Sequence, residues 1–402
     1  MPLRRLKYHR WVSVSLDAEV IVVGASVAGA ATALGLRNRG RDVLLVDRDR
    51  FPREAPCGEG LMPHGVQALR GLGVEFSGQP FRGIRYQVGQ TWARGDFPGE
   101  AVGMGVRRHD LDSGLVDACI RRGVGLALET PVRAVAQQQD RVTVQTGRGP
   151  LTAKVVVGAD GRHSRVRRAL GLQAPSKGSK RYGARRHVRL APGRTSGDAV
   201  QVFIGHTGVE VYLTPVAPDA VNVALLVEKA WMENFRGDLE GGMQRAIDSC
   251  PEAASFLEGS HSLTPTQVCG PLRQAVHRNW DHRALLVGDA GGFVDAITGE
   301  GMSLALGQAA VASAVLDSTL DGPMPPHAFA PYGERTAALG RDLIRMTEIV
   351  LWGLRRRWLA ERTVRHLKRH PALFSQVLAV NTGMAPLSSI GLGGLRRLAV
   401  GW

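Results

Sequence analysis

The sequence has few cysteines and no long hydrophobic run. Its four cysteines, Cys57, Cys119, Cys250 and Cys269, lie far apart and form no C-x-x-C pair, which argues against a disulfide framework and a zinc site. No apolar run approaches the roughly 20 residues that a membrane-spanning helix needs. The basic residues 1–16 contain no apolar stretch as long as that of a signal peptide. We therefore expect a cytoplasmic protein without a metal site.

Lysine is also scarce, although the chain is strongly basic. The net charge is +15, yet only six of the 51 basic residues are lysine. The positive charge is concentrated in residues 1–16, 162–189 and 341–402. Because no nucleic-acid-binding module accompanies it, we do not expect a nucleic-acid partner. The basic segments leave open a peripheral contact with a membrane surface, an acidic carrier protein or a separate reductase.

Three short aliphatic runs each end in a glycine-rich turn. They are residues 20–23 before 24–29, residues 155–157 before 158–161, and residues 285–287 before 288–292. Such runs are typical of strands buried on both faces of a parallel sheet. Ligands of these sheets bind at the carboxyl ends of the strands. The pattern therefore predicts a doubly wound α/β fold whose three turns share one binding site.

The first turn has the pattern of a dinucleotide-binding fingerprint. Gly24 allows the tight turn, Gly29 lets the next helix pack closely on its strand, and Ser26 stands where a second glycine is usual. The next strand ends in Asp47, where an acid accepts hydrogen bonds from a ribose. The same turn also resembles a hydrolase nucleophile elbow, but that motif needs glycine where Ala28 stands, which argues against a hydrolase. The predicted cofactor contacts here are Gly24, Ala25, Ser26, Val27, Ala28, Gly29 and Asp47.

Together the three turns resemble the flavoprotein superfamily of para-hydroxybenzoate hydroxylase. Residues 158–167 are similar to its "DG" motif and residues 288–302 to its "GD" motif. The resemblance implies a Rossmann-like FAD-binding domain, an antiparallel-sheet substrate domain and a C-terminal helical region. Their expected ranges are 17–75, 100–175 and 270–322 for the first, 76–99 and 176–269 for the second, and 323–402 for the third.

The resemblance also assigns roles to individual residues. It implies that Asp289 binds the ribityl chain of FAD, that Asp160 reaches the flavin and that Arg108 lies near it. A helix beginning near residue 299 would direct its free N–H groups at the flavin. Arg48 would cover the adenine. The further contacts implied are Gly288, Gly299, Glu300, Gly301 and Met302.

Residues 56–61, PCGEGL, resemble a segment of the geranylgeranyl reductase-like branch of this superfamily. The resemblance implies that Cys57 and Gly58 lie close to the isoalloxazine ring. Cys57 is a candidate reactive group. A packing role is the alternative, because no neighbouring motif activates the thiol.

The region between the two later motifs alternates as an antiparallel sheet does. Residues 200, 202 and 204 share one face, residues 209, 211 and 213 another, and residues 221–227 form a further strand. Candidate substrate contacts are Arg85, Tyr86, Arg185, His187, His206 and Tyr212. Tyr212 is the first choice, because it faces away from its aliphatic neighbours. Tyr212, Arg185 and Cys57 are therefore the predicted catalytic residues.

The C-terminal region has the pattern of an amphipathic helix. Its apolar residues recur at helical spacing, and arginines lie among them. The recurring positions are Leu343, Thr347, Val350, Leu351, Leu354 and Trp358, and the arginines are Arg341, Arg345, Arg355, Arg356 and Arg357. We predict that this region covers the substrate domain.

The resemblance favours a flavin monooxygenase. Reduced FAD would bind O2, and its C4a-hydroperoxide would hydroxylate or epoxidise a small, largely apolar substrate, with NAD(P)H as the expected reductant. Reduction of C=C bonds, as in geranylgeranyl reductases, is the alternative that residues 57–59 and 298–301 favour. Halogenation is a third, although its tryptophan-rich signature is absent at residues 211–215. A non-enzymatic flavin-binding module is the fourth.

Overall fold

The computed structural model describes residues 16–394, except 177, 179, 206, 207, 355 and 392. The helices are α1 (Val27–Arg37), α2 (Pro63–Gly71), α3 (Arg108–Arg121), α4 (Arg165–Ala169), α5 (Leu239–Asp248), α6 (Pro251–Phe256), α7 (Gly301–Thr319), α8 (Ala330–Leu354), α9 (Arg357–Arg369) and α10 (Pro371–Asn381). Short 3-10 turns span Lys229–Phe235, Gly288–Gly291 and Leu387–Ile390.

The strands are β1 (Ala18–Val23), β2 (Val43–Val46), β3 (Gly60–Leu61), β4 (Gln79–Phe81), β5 (Gly83–Val88), β6 (Thr91–Asp96), β7 (Gly103–Gly105), β8 (Gly125–Ala127), β9 (Val132–Gln137), β10 (Val142–Thr146), β11 (Gly149–Gly158), β12 (Gln173–Ala174), β13 (Arg181–Arg189), β14 (Ala199–Ile204), β15 (Glu210–Ala217), β16 (Ala220–Glu228), β17 (His261–Ser262), β18 (Gln267–Cys269), β19 (Ala275–Val276), β20 (Trp280–Asp281) and β21 (Ala284–Leu286).

The first large sheet has the order β20-β21-β11-β1-β2-β8. Its strands run parallel except β20, and the β9–β10 hairpin continues from β11 as an antiparallel layer. Successive residues of β1 face opposite sides: Val20 and Val22 pack with α1, α3 and α7, whereas Ile21 and Val23 pack with the hairpin. Both faces are buried, so the predicted doubly wound sheet is confirmed.

The second large sheet has the order β17-β13-β16-β15-β14-β5-β6, with β18 also paired to β13. Its pairs are antiparallel except β14–β5. Val211 and Leu213 face a core formed with α5 and α6. Val200, Val202 and Tyr212 face the other way, as the alternation predicts. This second face is the one that meets the carboxyl ends of β1, β11 and β21.

The C-terminal helices cover part of that second face. Phe374 and Leu378 of α10 pack so closely on β6 that a β-carbon at Gly95 would lie 2.8 Å from the Phe374 ring. The sequence pattern places Trp358 on the same apolar helix face as Leu343 and Leu354. This prediction is wrong for Trp358, because 59% of that residue is exposed. Because α8 ends at Leu354 and α9 begins at Arg357, the later residues follow a new helix with its own buried face.

Candidate active site

A cavity of about 260 Å³, the central cavity, lies between the two large sheets. The carboxyl ends of β1, β11 and β21 contribute its first wall, and the second sheet contributes its roof. Of the predicted cofactor contacts, those that line it are Ser26, Val27, Ala28, Cys57, Gly58, Arg108, Gly288, Asp289, Gly299, Gly301 and Met302. The three glycine turns therefore meet at one site, as their positions after parallel strands predict.

The turn after β1 is packed too tightly for larger residues. A β-carbon at Gly29 would lie 1.7 Å from the Gly24 carbonyl oxygen, and one at Gly24 would lie 2.4 Å from the Ala159 oxygen. Gly24 also has a φ of 105°. The Ala25 N–H donates to Asp47 Oδ2 at 2.6 Å. Burial raises the pKa of Asp47, and the Ala25 amide partly opposes that rise.

Ser26, which replaces the second glycine of the fingerprint, is part of a polar cluster. Its hydroxyl donates to Asp112 Oδ2 at 2.9 Å and accepts a hydrogen bond from Arg108. Arg108 contacts both Asp112 oxygens at 2.8 Å. Burial disfavours the Arg108 charge, but the Asp112 carboxylate outweighs burial and raises the pKa of Arg108. Sequence reasoning missed Asp112, although its i,i+4 spacing from Arg108 on a helix was a usable signal.

Asp289 lines the cavity beside a second arginine that sequence reasoning did not select. Its Oδ2 lies 3.7 Å from Arg162 Nη1. Burial raises the pKa of the Asp289 carboxyl, and the Arg162 guanidinium opposes that rise. The turn itself is held by the Gly288 N–H, which donates to Gln308 Oε1 at 2.8 Å. Asp289 and Arg162 thus supply one acceptor and one donor to the cavity.

The structure does not bring Asp160 to the cavity. Its carboxylate accepts hydrogen bonds from the N–H groups of Arg165, at 2.6 Å, and Val166, at 3.3 Å, and from the Ser164 hydroxyl. The physical reason is that α4 begins directly after the turn and has free N–H groups that a carboxylate satisfies. Asp160 is therefore a cap of α4 here, in contrast to its predicted contact with the flavin.

Glu300 and Arg48 also do not line the central cavity. The Glu300 carboxylate is buried toward α2, with Oε2 3.7 Å from His64 Nε2, and burial raises its pKa well above the ordinary range. Its neighbours Gly299 and Gly301 do line the cavity, because the turn presents their backbone to it while the Glu300 side chain points away. The Arg48 side chain is 77% exposed and lies near Asp49.

The loop that carries Cys57 is held against the roof by Glu59, which sequence reasoning also missed. Glu59 is fully buried with a φ of 61°. Its Oε1 accepts from the Arg108 N–H at 2.8 Å, and its Oε2 lies 2.6 Å from His187 Nε2. The Cys57 sulfur accepts from the Glu59 N–H at 3.3 Å. Glu59 therefore ties the loop both to the start of α3 and to β13.

Arg185 belongs to the same set of contacts. Its guanidinium donates to the Glu54 carboxylate and, at 3.2 Å, to the Ala55 carbonyl, and it lies 3.0 Å from His187 Nδ1. It lines the cavity but is 2% exposed. Since its hydrogen bonds are made to the loop and to His187, the structure gives Arg185 a positioning role, in contrast to its predicted catalytic role.

The roof contains one row of side chains that crosses five neighbouring strands. Strand register aligns Tyr86, Val202, Tyr212, Ala224 and Arg185, and all five line the cavity. Of the other predicted substrate contacts, the Arg85 guanidinium stacks on Trp92, His187 binds Glu59, and His206 lies outside the described residues.

Tyr212 connects the roof to a buried polar network. Its hydroxyl donates to Glu210 Oε2 at 2.8 Å. Arg181 forms ion pairs with Glu210 at 2.7 Å and with Asp295 at 3.1 Å. Burial, and then the Glu210 charge, raises the pKa of Tyr212 well above its ordinary value. Burial likewise raises the pKa of Asp295 to about 6. Tyr212 is therefore a protonated phenol at neutral pH.

These features fit FAD as the cofactor. The N-terminus of α1 offers N–H groups beside a turn with no space for a β-carbon, which suits close approach of a pyrophosphate. Asp47 is an acceptor at the end of the neighbouring strand, and the start of α7 lines the cavity at Gly301 and Met302. Within the described part of the chain, no group of His, Cys, Asp or Glu could hold a metal ion.

Comparison with known proteins agrees with this fit. A menaquinone reductase of Mycobacterium tuberculosis is 27% identical over 340 residues, which cover 76% of this chain and 78% of that protein. Tetracenomycin B2 monooxygenase-dioxygenase of Streptomyces olivaceus is 26% identical over 321 residues, 68% and 58% of the two chains. A flavoprotein/dehydrogenase from Cytophaga hutchinsonii has the same fold, with a TM-score of 0.83 at 18% identity over 96% and 98% of the two chains.

The family model described as FAD binding domain matches residues 17–347. This range includes all three glycine turns, the roof and the start of α8. The chain therefore belongs to the FAD-binding domain family within the para-hydroxybenzoate hydroxylase superfamily, and it is an FAD-dependent oxidoreductase.

Proposed function

We propose that this enzyme is a monooxygenase whose substrate has a hydroxyl-bearing ring and a long hydrocarbon part. The observation that carries the proposal is a second cavity that adjoins the first. This helical cavity, about 610 Å³ in volume, shares Tyr86 and Thr298 with the central cavity. Ring and chain would therefore occupy two adjoining cavities, with the ring in the central cavity and the chain in the helical cavity.

The helical cavity has walls suited to a hydrocarbon. It lies between β5, β14 and the C-terminal helices, and its lining side chains include Ile204, Met346, Val350, Leu367, Phe374, Leu378 and Ile390. Apolar pockets with a few placed polar groups are typical of small-molecule sites. The helical cavity has only a few polar lining residues, which are Thr298, Glu348, Thr363 and Asn381. The buried charged network lies at the other end, around Tyr212. This distribution supports a substrate with one polar and one apolar end.

In the proposed reaction, reduced FAD supplies the activation of O2, with NAD(P)H as the proposed reductant. The chain positions the substrate and excludes water, which protects oxygen chemistry from side reactions. Tyr212 already donates its proton to Glu210, so its oxygen can accept the proton of a substrate hydroxyl. The proton then moves from substrate to Tyr212 and from Tyr212 to Glu210, and the ring becomes richer in electrons. Arg181 holds Glu210 in place for this transfer.

Reduction of a C=C bond is the second candidate, and the similarity to a menaquinone reductase favours it. For that reaction a bound, reduced FAD would supply a hydride, and Tyr212 would donate a proton to the substrate. The same side chains therefore serve either reaction in opposite proton directions. We do not propose halogenation, because residues 211–215 lack its signature.

The two reactions differ in their need for oxygen. We suggest incubating the FAD-loaded enzyme and NADPH with 4-dodecylphenol under 18O2, and separately with a menaquinone under strict anaerobiosis, followed by mass spectrometry. A monooxygenase incorporates one labelled oxygen atom into the phenol and does not act without O2. Anaerobic formation of a menaquinone whose side chain keeps a gain of two hydrogens after the quinol ring has been reoxidised would overturn the proposal in favour of the reductase.

A further inference from the structure

Exposed large apolar side chains are concentrated on the C-terminal helices. Ten such side chains are exposed among the described residues. Six of them lie between residues 339 and 384: Leu339, Ile344, Ile349, Trp352, Trp358 and Met384. The exposed fractions of Trp352 and Trp358 are 50% and 59%. An enzyme that exposes several large apolar side chains in one region has a surface with the composition of a binding site.

Helix α9 is amphipathic, and its exposed face is basic. Leu359, Ala360, Val364 and Leu367 are buried. The opposite face begins at Trp358 and continues with Arg362, Arg365, Lys368 and Arg369, all of them exposed. These positions follow one another at intervals that keep them on one side of a helix. A tryptophan therefore precedes four basic side chains along a single face.

The end of α8 extends this surface. Ile349 and Trp352 are exposed there, and the Arg356 guanidinium lies 4.8 Å from the centre of the Trp352 ring. The acidic residues near the surface are already ion-paired: Glu348 lies 2.8 Å from Arg273, and Glu361 lies 3.1 Å from Arg357. The combined surface, defined as Ile344, Ile349, Trp352, Trp358, Arg362, Arg365, Lys368 and Arg369, is called the C-terminal surface below.

The helical cavity reaches the outside at this same surface. Glu348, Ile349 and Trp352 line the cavity and are also exposed. A hydrocarbon that enters or leaves there would pass between exposed apolar side chains. The mouth of the cavity and the exposed tryptophans therefore share one location.

We propose that the C-terminal surface docks on an anionic lipid bilayer. The tryptophans would lie at the level of the headgroups, where amphipathic aromatic rings are favoured, and the arginines would contact lipid phosphates. In the described part of the chain, no helix is long and apolar enough to cross a membrane. The proposed contact is made by exposed side chains at the bilayer interface. An acidic carrier protein would also attract the basic face, but charge alone does not account for the exposed Trp352, Trp358 and Ile349.

Vesicle flotation tests the docking without any substrate, so it is independent of the reaction proposed above. The full-length FAD-loaded protein is mixed with vesicles of phosphatidylcholine, with or without phosphatidylglycerol. We expect binding to the vesicles that contain phosphatidylglycerol and weak binding to the neutral ones. In Arg365→Ala/Arg369→Ala the affinity falls about 30-fold, because each basic residue at the surface contributes roughly fivefold.

A matched control carries the same change of charge elsewhere. Arg133 on β9 and Arg148 in the turn between β10 and β11 are exposed, and Arg133→Ala/Arg148→Ala is expected to bind as the parent does. Trp358→Ser is expected to weaken binding even at high salt, because it removes apolar contact instead of charge. Equal loss in the control pair, absence of vesicle binding, or binding to an acidic acyl carrier protein without vesicle binding would each overturn the proposal.

Discussion

The two sides of the central cavity are built in different ways. On the cofactor side, backbone packs against backbone: a β-carbon at Gly29 would lie 1.7 Å from the Gly24 oxygen. On the roof, one row of side chains, including Tyr86, Val202 and Tyr212, determines the shape and the polarity. Gly24 and Gly29 on the first side have no space for a larger side chain, whereas the side chains of the roof can be exchanged one at a time. This difference allows a superfamily to keep one cofactor while its substrates vary.

The largest expected effect is therefore on the cofactor side. Gly29→Leu forces α1 away from β1, because a side chain has no space beside the Gly24 oxygen. We expect an insoluble or flavin-free protein, measured by soluble yield and by the FAD absorbance of the purified fraction. Gly71→Leu is the control, since nothing lies within 4 Å of a β-carbon at Gly71. A soluble Gly29→Leu protein with full FAD content would show that this packing is dispensable.

On the roof, Tyr212→Phe removes a single hydroxyl. We expect normal FAD content and a turnover of 4-dodecylphenol lower by about 100-fold, since a positioned acid–base group contributes roughly that much or more. Tyr182→Phe is the control, because Tyr182 packs in the core on the opposite side of the sheet. Unchanged turnover in Tyr212→Phe would assign Tyr212 a packing role only.

The same division explains what the sequence could predict. The glycine turns could be predicted from local sequence, because tight backbone geometry restricts the residue type at each position. The pattern around Gly24, Gly29 and Gly288 predicts the strands, the turns that follow them and the site at which those turns meet. Tyr212 was also predictable, since alternation along β15 determines its face. These predictions need no knowledge of distant contacts.

The residues that sequence reasoning misplaced depend on contacts between distant segments. Arg185 binds Glu54, which lies 131 residues earlier in the chain, and Glu59 binds His187, which lies 128 residues later. No local pattern encodes such pairs. Glu300 was misplaced for a different reason. The predicted turn allows its side chain to point either into the central cavity or away from it, and in the structure the side chain packs toward His64 of α2.

A moderate effect is expected for Asp289→Ala, back on the cofactor side. The carboxylate lines the cavity beside Arg162, and loss of a charged hydrogen bond to FAD typically costs about 1.5–3 kcal/mol. The dissociation constant of FAD should rise about tenfold or more, as measured by ultrafiltration and flavin fluorescence. The comparison variant is Asp295→Ala, which removes a buried carboxylate that does not line the central cavity. Equal FAD affinity in Asp289→Ala and the parent would remove Asp289 from the cofactor site.

The smallest effect is expected for Asp160→Ala, which separates a cofactor contact from a structural cap. If Asp160 bound the flavin, the FAD affinity would fall as in Asp289→Ala. The structure instead directs its carboxylate at the first N–H groups of α4. Loss of such a cap costs about 1 kcal/mol of folding stability, so the midpoint of urea unfolding should fall while the FAD affinity stays within about twofold. Asp160→Asn, which keeps one acceptor oxygen, should recover part of the stability. A tenfold loss of FAD affinity with unchanged stability would instead restore the flavin contact that the "DG" motif implies.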